Sequence, residues 1–236
     1  MAEKQKSNVD QWLKRETPRV RKALESASRY FDDSDNLTVN ILEAMYGQES
    51  SFGVRLGTRG STKAAGHFQL KPDVAKQYGL SVSKNNDQRF NIDYASSAAA
   101  RYLKDIDGMF TKKTILSEGL DTIPVKSITE RKKFALGGYN AGQGRVASAQ
   151  HLAEEDGKDP QLWNDVEEFL ELAGATADNA KETRQYLEKI PLYESEFAEK
   201  SPVDKNIKQK EPRRGKYRCT EGHWVTIDDR PVFICA

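Results

Sequence analysis

Apolar residues recur at three- and four-residue steps through most of the first 190 positions, and at two-residue steps only in the last twenty. After a polar opening, Val20, Ala23, Leu24, Ala27 and Tyr30 make one stripe, which predicts a helix. DDSDN (32–36) then offers Ser34, Asp35 or Asn36 as N-cap acceptors. Leu37, Val39, Ile41, Leu42 and Met45 predict the following helix, running through residue 49. GVRLGTRGSTKAAG (53–66) carries four glycines and no period, a long loop of the kind compact domains reserve for function. KPDVAKQYG (71–79) reads as a short helix with Pro72 in its first turn and Gly79 at its stop.

Ile92, Ala95, Ala99, Tyr102, Leu103 and Ile106 predict a helix over 90–107, and the stretch to residue 126 reads as loop with one short turn. SITE (127–130) has the form of a capping box and opens a helix that ends in YNAG (139–142). QLWNDVEEFLEL (161–172) reads as an amphipathic helix, and ADNAKETRQYLEKIPLYESEF (177–197) as another, interrupted at Pro191. Residues 200–218 hold eight Lys or Arg against two acids, a linker or solvated strip. The closing KYRCTEGHWVTIDDRPVFICA alternates as strands do. No repeat recurs. The pattern predicts a mainly α protein with a small C-terminal β hairpin or meander. Its segments are an N-terminal helical extension (1–34), a helical domain (35–198), a basic linker (199–215) and a β tail (216–236).

Charge alters this picture little. With 37 basic and 36 acidic residues, the 236-residue chain has no overall attraction to polyanions, so nucleic acid is not an expected partner. No apolar run approaches the roughly 20 residues of a membrane span. The first twenty residues lack the apolar core of a secretory signal. Cys219 and Cys235 both fall in the last 18 residues, as a local disulfide or two buried thiols. With His223 they make three candidate ligands where a structural zinc wants four, so no metal is expected. The tail is too short for a core of its own. It is expected to pack on the helical domain or to bind a protein partner.

Candidate chemistry gathers at the helix–loop junction YGQESSFG (46–53). Glu49 stands at the end of a helix with a buried face, where partial desolvation raises a carboxyl's pKa toward general-acid work. A solvated helix-end glutamate is the ordinary alternative. Tyr139 and Asn140 lie among glycines, suited to sugar hydroxyls and ring stacking. A plain helix C-cap explains Gly142 but not the pair Gly137-Gly138, which inside a helix costs about 1–2 kcal/mol against alanine; close packing of that helix on a neighbour explains the pair equally well.

The ordered set ESSF (49–52), AAGHFQL (64–70), YNAGQGRV (139–146) and ETRQYLEKI (182–190), over residues 35–190, resembles the soluble lytic transglycosylases (SLT domain) of the lysozyme-like superfamily. The resemblance implies a lysozyme-like helical fold. It also implies cleavage of the β-1,4 bond between N-acetylmuramic acid and N-acetylglucosamine in peptidoglycan glycan strands. Glu49 would be the single catalytic residue, acid and then base, closing a 1,6-anhydro ring with no cofactor. Ser50, Ser61, Gln69, Tyr139, Asn140 and Tyr186 would bind substrate, with Tyr139 close enough to Glu49 to hold it. GHFQLK stands where GLMQLM-like residues are usual, so His67, Phe68 and Lys71 alter the cleft lining; His67 has no partner in sequence and reads more readily as a solvated loop residue than as one that tunes substrate choice.

Two rivals remain. A hydrolytic muramidase, like goose-type lysozyme, would want a second carboxylate to activate water, and Asp73, Asp87 and Asp93 are available. A non-catalytic cell-wall-binding or phage assembly protein would not need Glu49. The peptidoglycan substrate that the resemblance implies would place the protein in the periplasm, the cell wall or a phage particle.

Overall fold

The computed structural model describes residues 7–202 and, by their backbone, the strands Gly222–Ile227 and Arg230–Cys235. The chain divides into two units, Met1–Lys205 and Asn206–Ala236. The first is helical. Helix α3 (Val39–Ser50) lies at its centre, buried on every side from Val39 to Gly47. Its apolar residues lie on most faces and are covered, and the polar Asn40 and Glu43 among them are buried as a hydrogen-bonded pair. α9 (Ala177–Lys200) packs along it, while α5 (Ile92–Thr111) packs against α2 (Pro18–Ala27) and α6 (Ile128–Gly137).

The N-terminal residues are part of this core. α1 (Asn8–Leu13) starts at a reciprocal capping box between Ser7 and Asp10 and buries Val9 and Trp12. The Trp12 ring meets Tyr193 edge-on at 4.8 Å and covers Gly47 so closely that an added Cβ would stand 2.4 Å from it. Residues 7–34, the described part of the N-terminal helical extension, thus contribute to the core of the helical unit.

Several boundaries differ from the reading of the sequence. The N-cap of α3 is Thr38, not a residue of 34–36, because the Asp35 carboxylate accepts from the Asp32 and Leu37 amides and from Lys104. Ser127 does cap α6, but Glu130 does not reach back: its carboxylate accepts from the Trp163 amide and Lys133. The stretch to residue 126 contains a short antiparallel pair, β1 (Ile115–Ser117) and β2 (Leu120–Asp121). Residues 161–172 are not one helix. They form α8 (Trp163–Val166), a 3-10 turn (Glu167–Phe169) and further turns. Trp163, Val166 and Leu170 are buried all the same, since turns of mixed pitch satisfy the same three- and four-residue spacing. Pro191 does not interrupt α9. It lies on the exposed face of a helix that continues past it.

YNAG is likewise not a helix end. Gly138–Gly142 is a π-helical turn that runs into α7 (Gln143–Glu155). The paired glycines are explained by contact: a Cβ on Gly137 would stand 2.2 Å from the Trp163 ring, and one on Gly138 2.7 Å from Ile106. Among the described residues no helix is long and apolar enough to cross a membrane.

The second unit contains an antiparallel hairpin, β3 (Gly222–Ile227) with β4 (Arg230–Cys235), in register from Gly222↔Cys235 to Ile227↔Arg230. Cys219, and with it any Cys219–Cys235 disulfide, lies outside the described residues, as does most of the basic stretch 199–215.

Candidate active site

Glu49 is the penultimate residue of α3, and the chain after it turns at once. Ser51 and Phe52 both take positive φ (52° and 59°), sterically costly for residues with a Cβ. Ser50 fixes that turn. Fully buried, its hydroxyl donates to the His67 carbonyl at 2.8 Å and accepts from the Gly53 amide at 3.1 Å. Ser50 thus ties the loop to the helix end and does not line the cleft.

The loop is held at its far side by Arg89. The fully buried guanidinium makes a two-pronged bond to Asp87 (3.0 and 2.8 Å) and also donates to the carbonyls of Ser61, Lys63 and Leu70. Burial works to raise the Asp87 carboxyl's pKa, but the bonds from Arg89 and the Gly60 amide prevail and leave it below the usual value. Ser61 belongs to this hub, its hydroxyl accepting from the Lys63 amide, and it is not among the residues lining the cleft.

These constraints shape a cleft of ~340 Å³ beside Glu49. Gln48 and Glu49 come from α3, Gln69, Leu70 and Lys71 from the loop, and Val74 from α4 (Pro72–Gln77). Tyr102 comes from α5, Tyr139, Asn140 and Gly142 from the π turn, and Glu182 and Tyr186 from α9. Six of the residues singled out in the sequence, Glu49, Gln69, Lys71, Tyr139, Asn140 and Tyr186, are brought together here.

Burial pushes the Glu49 carboxyl up to about 8; the Tyr186 hydroxyl pulls in the other direction, and the nearby Glu182 charge adds to the rise. At neutral pH it is a protonated acid. Tyr186 is buried, and its hydroxyl faces that carboxyl in an interaction looser than a full hydrogen bond, so its donor is incompletely satisfied. Tyr139 donates to the Phe68 carbonyl at 2.9 Å, so its own proton is not given to Glu49. Burial, and then the Glu49 charge, put its pKa well above the ordinary tyrosine value. Gln69, at φ 46°, commits its NH2 group to the carbonyls of Gly66 (2.8 Å) and Arg55 (3.2 Å). Its Oε1 is left for a ligand. Asn140 accepts from Thr183 at 2.7 Å, which leaves its NH2 group for the cleft.

His67 and Phe68 depart from their expected places. Phe68 is core, stacked on Tyr46 with ring centroids 5.4 Å apart. His67 pairs through Nδ1 with the Tyr46 hydroxyl at 3.0 Å and lines a different cavity, with Arg19, Arg59 and Phe90. Burial holds its pKa low, so it is neutral at pH 7. Of the three carboxylates considered for a second catalytic role, Asp87 is held by Arg89 and Asp93 by Arg19, and Asp73 is not among the lining residues. Glu182, the acid of ETRQY, is the second carboxylate lining the cleft, and the sequence reading did not single it out. Its signal was its placement four residues before Tyr186, one turn away on the same helix face. Among the described residues no three His, Cys, Asp or Glu are arranged to hold a metal ion.

Residues 27–162 match the family model described as "Transglycosylase SLT domain". Over 132 residues the chain is 33% identical to a membrane-bound lytic murein transglycosylase F of Marinobacter nauticus, covering 56% of this chain and 22% of that protein. A protein of the same name from Desulfosudis oleivorans is 27% identical over 195 residues, covering 79% and 38%. Membrane-bound lytic murein transglycosylase D of Escherichia coli K12 is 23% identical over 133 residues, covering 54% and 25%. The chain thus spans between about a fifth and two-fifths of the length of these relatives.

Proposed function

The chain belongs to the transglycosylase SLT-domain family, and we propose that it is a lytic transglycosylase of peptidoglycan in which Glu49 serves first as acid and then as base. The observation that carries this reading is the Glu49 carboxyl itself, desolvated enough to hold its proton at neutral pH and open to a cleft lined by hydrogen-bonding groups. Glu49 gives its proton to the glycosidic oxygen as the bond to the muramoyl C1 breaks. The carboxylate so formed takes the proton of the C6 hydroxyl, whose oxygen closes onto C1 as a 1,6-anhydro ring. The balance needs no water. The muramoyl acetamido oxygen steadies the charge at C1, while Gln69 Oε1 and the Asn140 NH2 group hold the sugar. Such a substrate places the protein outside the cytoplasm.

Glu182 favours a second reading, hydrolysis, because a second carboxylate in the cleft is what water activation requires. Mass spectrometry of fragments released from purified peptidoglycan separates the two. Anhydro ends, about 18 mass units (one water) lighter than reducing ends, are expected; reducing ends would make the protein a hydrolase with Glu182 as its base. In that case Glu182→Gln would abolish release.

The pH profile follows from the same carboxyl. The acid form is needed first, so kcat/KM is expected to hold through neutral pH and fall as pH rises through about 8. A profile that instead falls between pH 4 and 5 would mean that Glu49 is an ordinary solvated carboxyl. Stability has the same sign. Because the folded carboxyl binds its proton more tightly than the unfolded one, its contribution is complete below about 4.5 and is lost as pH rises through about 8.

A further inference from the structure

The cleft carries two carboxylates, Glu49 and Glu182, and one cation among its described lining residues, Lys71. Lys71 forms no ion pair among the described residues, with Glu182 or with any other acid. Its ammonium is therefore free for a ligand.

The mounting of Lys71 is rigid although its side chain is exposed. It is the N-cap residue of α4, in extended backbone, and its carbonyl accepts from the Ala75 amide at 2.9 Å. The residue before it, Leu70, gives its carbonyl to the buried Arg89 guanidinium, and Pro72 fixes the φ of the turn that follows. Its side chain offers no cap to the helix. A cation on so fixed a base, with no structural bond to make, is suited to recognition.

A strand of neutral sugars has nothing for an ammonium to bind. A peptidoglycan strand carries its anionic charge as carboxylates on the lactyl side of the muramoyl unit: the lactyl group itself where peptide has been removed, the stem peptide where it remains. Resting on the proposed peptidoglycan reading of the cleft, we propose that Lys71 is a specificity-determining residue that pairs with a carboxylate on the muramoyl substituent and so selects muramoyl strands over neutral glycans. Glu182, contributed to the same cleft by α9, repels a carboxylate that binds beside it instead.

The test is binding, measured by calorimetry in a Glu49→Gln background so that no cleavage intervenes. The probes are solubilised glycan strands, peptide-bearing and peptide-free, each also with its carboxyls converted to amides. Adding Lys71→Met is expected to weaken binding of carboxylate strands about fivefold, the size of one partly exposed ion pair, and to leave amidated strands unchanged. Lys71→Arg is expected to retain the binding. An effect confined to peptide-bearing strands assigns the stem peptide, and one that persists on peptide-free strands assigns the lactyl carboxylate. Equal loss on amidated strands, loss under twofold, or no binding of any strand by Glu49→Gln overturns the proposal. The unsubstituted protein's cleavage of the same strands reports separately on the proposed function.

Discussion

Glu49→Gln is expected to lose about 10²–10⁴-fold in the rate of fragment release from peptidoglycan while still binding it, because a general acid is removed and little else changes. Glutamine fills nearly the same volume and keeps one oxygen toward Tyr186. The substitution also replaces a carboxyl that resists ionising with a group that never ionises. The variant should therefore melt above the unsubstituted protein at pH 9, where the native carboxyl is forced to charge, and level with it near pH 4. These two readouts guard one another. A variant that is inactive because it is misfolded would lose stability at both values of pH. If Glu49→Gln retained its full rate of release, the acid would have to be sought at Glu182, the other carboxylate of the cleft. If the unsubstituted protein bound strands but released nothing, the binding-protein reading would take precedence.

Period and motif made part of this site readable, each for a physical reason. α3 was legible because its apolar residues recur through two turns, and Glu49 was legible because it ends that run. Tyr139, Asn140 and Tyr186 were legible only through motifs, since nothing in spacing alone brings residue 139 to residue 186. Side-chain direction was not legible. Ser50 adjoins Glu49 in sequence yet points into protein, because successive helical positions diverge by about 100°. His67 and Phe68 were misplaced for a related reason: the loop backbone, with Gln69 at positive φ, turns the Gln69 and Lys71 side chains to the cleft and the two aromatic rings away from it. The π turn at Gly138–Gly142 has no signature in apolar spacing, so YNAG was read as a helix end although the chain runs on into α7. Arg89 left no trace at all, because the three carbonyls it gathers lie 19 to 28 residues earlier in a stretch without period.

That hub carries the largest expected effect on stability. Arg89→Ala is expected to destabilise the fold by about 3–5 kcal/mol, because it strands the Asp87 carboxylate in the interior without its counter-charge. The carbonyls of Ser61, Lys63 and Leu70 lose a donor in the same step. Against a total of about 5–15 kcal/mol for a typical domain, the loss is large but leaves room for a folded protein that denaturant titration can measure. Activity should fall further than the folded fraction does. Leu70 and Arg89 anchor the segment that carries Gln69 and Lys71 to the cleft, and the His67 amide bonds the Arg89 carbonyl at 3.0 Å, so freeing the hub loosens that wall of the site. Arg89→Lys keeps the charge but cannot make five directed bonds from one ammonium, so it is expected to recover only part of the loss. A shift below 1 kcal/mol for Arg89→Ala, with activity retained, would mean that the loop holds its shape without the hub and that Ser50 alone sets the cleft beside Glu49.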